Sequence, residues 1–471
     1  MSFRAKSRNL NKMKRTIYIL AICALGLASC TKFLDIKPYG KVIPKTPDEF
    51  SSLLHGLIAD IDYGDNVIIG DVPTILDYEV FGDNLEANLT KYPEGDFLGL
   101  YVGSALNIMQ HKYSNLYAVI KDCNIVLDNL VPDGTEFTND VLGTAHALRA
   151  VCYYRLLRNY SEPPVGNMQG LGVPLVLKFD MEERPIRSTI QQTFEQIEKD
   201  MLKAISYDIK DEIYRFNSDV MEAYLARLYF WVGKWDLAAQ YSRKVIQKYP
   251  LLKGNEYLAM MSSEIARKGN ILFKSYILTD SNNKFAADVS KSTITARPVS
   301  KRFIDLFVEK ERDIRYSMSF NHKRKLTRSV FACVRTAEMQ LMLAESLYHS
   351  GNHLDALEVL NELRRHRIED VVDYTMETLP AVNPAEYITV DVYGNELTPL
   401  LNAILNERRK ELFVEGDRWY ELKRNGRPEF WAAKQGRKYT TRKYMYTFPL
   451  PVADVELVDG LIQNPGYDKV K

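Results

Sequence analysis

The chain has 471 residues, of which 46% are hydrophobic and 26% are charged. These fractions are average for folded globular proteins, so they exclude an intrinsically disordered or fibrous chain. Lysine and arginine together number 62, against 61 aspartate and glutamate residues. Because basic and acidic residues are almost equal in number, the composition argues against a nucleic-acid partner.

The first thirty residues have the pattern of a bacterial export signal that ends at a cysteine. Basic residues lead into an apolar core over 17–27, and two small residues precede Cys30. This core is too short to span a bilayer of roughly 30 Å. The order predicts a lipoprotein signal peptide over 1–29, cleaved before a lipidated Cys30 that attaches the chain to a membrane. Two alternatives remain: an ordinary signal peptide in which Cys30 is incidental, and a start at Met13.

The predicted leader changes the charge balance of the mature chain. Removing its six basic residues leaves 56 basic side chains against 61 acidic ones, a net charge of about −5. This excess of acid again argues against nucleic acid. We expect the lipid to be the membrane attachment, because no second long apolar run follows.

The remaining cysteines and histidines predict neither a disulfide framework nor a metal site. Cys123, Cys152 and Cys333 are widely spaced without a C-x-x-C pair, which favours buried thiols, although one disulfide remains an alternative. His349 and His353 flank a Ser-Gly-Asn turn. Their rings should therefore not share a helix face, as two zinc ligands at that spacing would.

Two segments repeat the same spacing of small residues. In 219–250, alanine, glycine and alanine lie at intervals of seven and five residues, at Ala226, Gly233 and Ala238, and 335–367 repeats these intervals. Small residues let two antiparallel helices approach, and glycine ends the first helix. The pattern is that of tetratricopeptide (TPR) units.

Two weaker helical patterns precede these units. Apolar residues at helical spacing predict a third, less clear TPR-like unit near 145–160, and a helix over 190–205. Long stretches rich in turn residues separate the units, namely 62–103, 161–188, 252–298 and 371–399. We therefore predict a mainly α fold, a helical TPR scaffold with long irregular insertions that form a second layer. Binding residues should lie in those insertions.

A charged run near the C-terminus, Glu407–Arg424, also reads as scaffold. Its apolar residues fall on one helix face, and its charges can pair with neighbouring elements around a break at Gly416. The alternative would make Glu411, Glu415 and Arg418 an acid pair with an electrophile. Charged helical runs are more often structural faces.

This run closely resembles the motif of the SusD/RagB family, the nutrient-binding outer-membrane lipoproteins of Bacteroidetes. Other landmarks agree with the resemblance, at 33–38, 297–298, 303–307, 312–313, 448–451 and 463–467. The resemblance implies a single SusD-like domain over 30–471, lipid-anchored in the outer membrane at the cell surface. It also implies a binding protein that passes an oligosaccharide or other nutrient to a TonB-dependent, SusC-like transporter.

Nothing in the sequence predicts catalysis or a cofactor. It contains no H-E-x-x-H, no G-x-S-x-G and no phosphate-binding glycine loop. Two other functions remain open: a member of the same family that binds peptide or another nutrient, and a protein-binding TPR scaffold without a small ligand.

Candidate ligand contacts come from the insertions, because all four tryptophans fall in predicted scaffold. Sugars are held by exposed aromatic rings together with polar side chains that bond the hydroxyls. The resemblance places the ligand-contacting loop near the first insertion. The candidates are Asp83, Asn84, Tyr92, Phe97, Tyr101 and Phe285. Further insertion aromatics are Tyr78, Phe81, Tyr374, Tyr387 and Tyr393.

Replacing Cys30 by alanine tests the predicted anchor. Because the acyl chains would supply the membrane attachment, Cys30→Ala should move the protein to the soluble fraction when cells are fractionated. The experiment uses cells that lack the partner transporter. Full recovery of the variant in the outer membrane would show that Cys30 is not the attachment point.

Overall fold

Helices dominate the part of the chain for which the computed structural model gives a description. That part comprises 44–59, 67–70, 72–86, 106–180, 182–209, 215–262, 271–274, 297–330, 332–434 and 437–467. Within it, Lys45–Lys471 forms one compact unit. The predicted mainly α class is confirmed.

The first half of the chain carries eight helices in the described residues. They are α1 (Pro47–Ala59), α2 (Val72–Phe81), α3 (Leu106–Asn129), α4 (Glu136–Tyr160), α5 (Ile190–Ser206), α6 (Ser218–Val232), α7 (Trp235–Lys248) and α8 (Gly254–Ser262). The described second half adds α9 (Lys301–Ile304), α10 (Ile314–Ser319), α11 (Thr336–His349), α12 (His353–Arg365), α13 (Pro399–Glu411), α14 (Arg418–Arg424) and α15 (Val452–Leu457).

Three short antiparallel strand pairs join these helices in the described residues. They are β1 (Leu171–Pro174) with β2 (Arg187–Thr189), β3 (Ile271–Lys274) with β4 (Cys333–Arg335), and β5 (Phe430–Lys434) with β6 (Arg437–Thr441). In the last pair Phe430 lies opposite Thr441. This hairpin follows directly on α14 and carries Trp431.

The two predicted TPR units are confirmed as helix pairs. Helix α6 ends at Gly233, whose φ of +77° is a left-handed conformation that glycine adopts without strain. Helix α7 then packs back on α6 across Ala226 and Ala238, both fully buried. Helices α11 and α12 repeat the arrangement around Gly351, and α11 also packs on α7. The two units therefore stack directly although they lie far apart in sequence.

At the third, less clear TPR-like unit, the helix is longer than the predicted 145–160. Helix α4 begins at Glu136 because the Thr135 side chain accepts a hydrogen bond from the Thr138 amide and caps it. It packs against α5, whose first turn is closed by a capping box of Thr189 and Gln192. Between the two helices Arg149 forms an ion pair with Asp200 at 2.8 Å.

Three of the insertions that were predicted to be irregular contain helices or strands, so that prediction is wrong for them. The stretch 62–103 holds α2, 161–188 holds β1 and the start of β2, and 252–298 holds α8 and β3. Helix α2 escaped detection because polar and apolar residues are buried all around it, so it shows no helical periodicity. Its aromatics Tyr78 and Phe81 are core residues and not ligand candidates.

The Glu407–Arg424 run is scaffold, as predicted. Glu411 on α13 is fully buried and accepts hydrogen bonds from Arg315 (3.2 Å), Arg335 (2.6 Å) and Arg367 (2.9 and 3.0 Å). Burial raises the pKa of a carboxyl group, but the charges of Arg367, Arg335 and Arg315 outweigh it and hold the pKa of Glu411 well below its usual range. The chain then turns at Gly416, with φ +77°.

The cysteines lie as their spacing suggested. Cys123 and Cys152 are buried free thiols, and Cys333 is a partly buried free thiol. His349 stacks on Trp235 and His353 on Tyr348. None of the helices in the described ranges is both long and apolar enough to cross a membrane.

Overpacking the α6–α7 crossing tests the first TPR unit. Ala238→Leu puts three extra carbons into a fully buried contact, so it should lower the free energy of unfolding by about 1 to 3 kcal/mol in urea denaturation. Ala453→Leu, at an exposed position of α15, is the control. Equal unfolding of Ala238→Leu and the wild type would contradict a tight crossing.

Neutralising the central carboxylate tests the buried network. Glu411→Gln leaves the three arginines without their shared anion and should cost about 3 to 5 kcal/mol of unfolding free energy in urea denaturation. The control is Glu358→Gln, which removes an exposed ion pair with Arg365 and should cost less than about 1 kcal/mol. Similar losses in both variants would refute the central role of Glu411.

Candidate ligand-binding site

A cavity of about 340 Å³ lies where parts of three insertions meet the β5–β6 hairpin. The end of α2 and the residues after it contribute Asp83 and Glu86, and the end of the third insertion contributes Arg297. The fourth insertion contributes Tyr387, and the hairpin contributes Trp431. Parts of three of the four predicted insertions therefore converge on one cavity.

Backbone pairing fixes two of these segments against each other. The Glu86 amide donates to the Pro298 carbonyl at 2.8 Å, and the Ser300 amide donates to the Asn84 carbonyl at 2.8 Å. The Ser300 hydroxyl adds a bond to the Asp83 carbonyl at 3.0 Å. This short antiparallel bridge forms one rigid wall of the cavity.

Asp83 lines the cavity, but its carboxylate is already occupied. It accepts two hydrogen bonds from Arg418, at 2.7 and 2.9 Å, and lies 3.1 Å from Arg409. Burial acts to raise its pKa, yet the two guanidinium charges hold the pKa of Asp83 far below the usual range. The Asp83 carboxylate thus ties the end of α2 to α14, and its predicted contact with a ligand stays a prediction.

Asn84 is likewise a structural residue. Its side chain is fully buried, donates to Glu79 at 3.0 Å and accepts from Arg409 at 2.7 Å. Burial raises the pKa of Glu79 to about 7, against the opposing hydrogen bonds from Asn84 and the Val414 amide. These bonds give the Asn84 side chain a structural role, and Asn84 is not among the residues that line the cavity.

Trp431 is the aromatic residue that the sequence analysis misplaced. Trp231, Trp235 and Trp419 are buried scaffold residues, as predicted, whereas 43% of Trp431 is exposed at the cavity. Phe430 before it is buried, and alternate side chains of a strand point to opposite faces, but the sequence does not show which face is covered.

The other two aromatic rings at the cavity are engaged by neighbours. Tyr387 stacks on Phe430 with ring centres 4.8 Å apart, and the guanidinium of Arg302 lies 4.1 Å from the Tyr387 ring centre. Phe430 is buried. Among the aromatic residues described at this cavity, Trp431 thus presents the largest exposed surface.

Four predicted contacts lie outside the described residues. These are Tyr92, Phe97, Tyr101 and Phe285. They remain predictions. The described chain stops at Glu86, on the cavity wall, immediately before the stretch that contains the first three.

A second, smaller cavity of about 80 Å³ belongs to the scaffold. Arg227 and Arg158 line it, but Arg227 is bound to Glu338 at 2.6 Å and Arg158 lies 3.5 Å over the Tyr420 ring. Asp417, one of the three acidic residues that line it, is held by Arg408 at 2.6 Å. Within the described ranges, no group of three or more histidine, cysteine or acidic residues could hold a metal ion.

Two family models match the chain. The model of the SusD family matches residues 297–467, and a model described as starch-binding and associating with the outer membrane matches residues 83–230. A SusD-like protein of Formosa agariphila is 34% identical over 121 residues. That match spans 25% of this chain and 22% of the relative.

Solved structures share the whole fold. A SusD superfamily protein from Bacteroides thetaiotaomicron superposes with a TM-score of 0.69 at 20% identity, covering 89% of this chain and all of the other. A SusD-like carbohydrate-binding protein from Bacteroides vulgatus gives 0.66 at 20% identity, covering 89% and 98%. A laminarin-binding SusD-like protein gives 0.59 at 19% identity, covering 89% and 99%. The chain belongs to the SusD/RagB family.

Proposed function

We propose that this protein captures an oligosaccharide in the cavity beside Trp431 and delivers it unchanged to a SusC-like TonB-dependent outer-membrane transporter. The observation that carries the proposal is the exposed Trp431 ring on a cavity to which three insertions contribute. Pyranose rings have apolar faces that pack on such rings, and their hydroxyls take hydrogen bonds from polar groups at the edge.

The size of the cavity suits a few sugar units. At about 340 Å³ it falls at the lower end of the range for small-molecule sites, roughly 300 to 1,000 Å³. The bridge between 83–86 and 297–300 and the stack of Tyr387 on Phe430 are formed without ligand. A wall formed in advance lowers the ordering cost of binding.

The chemistry of the cavity supports binding without turnover. Glycoside hydrolysis needs two carboxyl groups, one of which must give up a proton. The carboxylates that line the described cavity are Asp83 and Glu86. Asp83 is held by two arginines and Glu86 by Arg324 at 3.0 Å, so both carboxylates are engaged in ion pairs.

Family membership supports the location and the partner. One matched family is described as associating with the outer membrane, and the related solved proteins include a carbohydrate binder and a laminarin binder. Lipidation at Cys30 would place the protein on that membrane at the cell surface, next to the transporter. The ligand would then enter the barrel from a protein held at its mouth.

Removing the exposed ring tests the proposal. Trp431→Ala should weaken binding of the cognate oligosaccharide about tenfold in isothermal titration calorimetry against a panel of oligosaccharides and peptides, because stacking on the indole is lost. Phe179→Ala is the matched control, since Phe179 is 40% exposed in another insertion, away from the cavity.

Three results would count against the proposal. Unchanged affinity of Trp431→Ala would show that the ligand binds elsewhere. Preferential binding of peptides would favour the peptide-binding alternative. Release of shorter sugars by the purified protein would contradict the claim that it is not an enzyme.

A further inference from the structure

We propose that the cavity beside Trp431 selects an acidic oligosaccharide, one that bears carboxylate or sulfate groups, and that Lys301 is a specificity-determining residue for it. This inference rests on the proposed function and names the class of sugar. It follows from how the charges around the cavity are arranged.

Basic side chains outnumber acidic ones at the cavity. Arg297, Lys301 and Arg302 line it, against the carboxylates of Asp83 and Glu86. In a concave site with low-dielectric walls, the field of such charges is focused and raises the local concentration of oppositely charged ligands.

Both lining carboxylates are neutralised from outside the cavity. Asp83 is bound by Arg418 and Arg409, and Glu86 is bound by Arg324. None of these three arginines lines the cavity. Asp83 and Glu86 are therefore already compensated and do not offset the charges of Lys301 and Arg302 at the cavity.

Arg302 is held at the cavity in a fixed position. Its guanidinium lies over the Tyr387 ring and donates to the Ala385 carbonyl. It lies 4.0 Å from a Glu386 oxygen, but the same oxygen already accepts from Arg409 at 3.0 Å. A guanidinium held on an aromatic face is preorganised to bind an oxyanion.

Lys301 is the lining cation that is most accessible to a ligand. Its side chain is exposed, and its ammonium group makes no hydrogen bond or ion pair with any residue that the structure describes. Only the Lys301 backbone is engaged there, through a bond from its amide to Glu86 at 3.1 Å. The ammonium group can therefore pair with an anionic sugar next to Trp431 without breaking a contact of the described fold.

Matched oligosaccharides of equal length test the inference. Isothermal titration calorimetry of the mature chain would compare a neutral galactose oligomer, a galacturonic acid oligomer, a sulfated galactose oligomer and an oligoglutamate peptide. We expect one or both acidic sugars to bind more tightly than the neutral sugar. That preference should shrink when ionic strength rises from about 0.05 M to about 0.5 M, because salt screens the attraction. The two acidic sugars distinguish carboxylate from sulfate.

A single variant then ties the preference to the residue. Lys301→Gln should weaken binding of the acidic sugar about two- to fivefold and leave binding of the neutral sugar unchanged. Lys178→Gln removes an exposed lysine away from the cavity and should change neither affinity.

The possible outcomes separate this inference from the proposed function. Tighter binding of the neutral sugar, or a preference that salt and Lys301→Gln leave intact, would overturn the acidic specificity while the proposed function stands. Absence of binding by every sugar, or tighter binding of the peptide, would overturn both.

Discussion

The buried carboxylate of Glu411 is the constraint on which the rest of the structure depends. Its three arginine partners come from α10, the end of β4 and the segment after α12. A charge in a protein interior is tolerated only when its partners satisfy it. The three segments that carry these partners are therefore held against α13, and this ties the second TPR unit to the family motif.

Bonds from buried arginines also connect the Glu407–Arg424 run to the cavity. Arg409 on α13 and Arg418 on α14 flank Glu411 in sequence, and they bind Asn84 and Asp83 just after α2. The residues after α2 then pair with 297–300 to form the cavity wall. The position of the cavity is thus set by ion pairs in the scaffold, and their arginines do not line it.

Sequence patterns predicted the scaffold well and the site poorly, for a physical reason. Helix pairs such as α6–α7 carry their own periodicity, glycine stop and small crossing residues, so local spacing is enough to recognise them. The family resemblance suggested Asp83 and Asn84 as ligand contacts, whereas their partners, Arg409 and Arg418, lie more than 300 residues away. Trp431 was read as scaffold because exposure in a two-stranded hairpin depends on what covers each face. Local residue spacing shows neither the distant partners of Asp83 and Asn84 nor the exposure of Trp431.

These distant pairs also impose an order on folding. The hydrogen-bond partner of Asn84 lies 325 residues later in the chain. The partners of Glu79 and Asp83 each lie 335 residues later. Contacts between such remote residues form slowly, and N-terminal segments remain exposed in the meantime. The contacts that fix α2 and the residues after it can therefore form only once almost the entire chain is available. A chain cut before α13 would lack the partners that hold the cavity wall, although every cavity residue from α2 to Tyr387 would still be present.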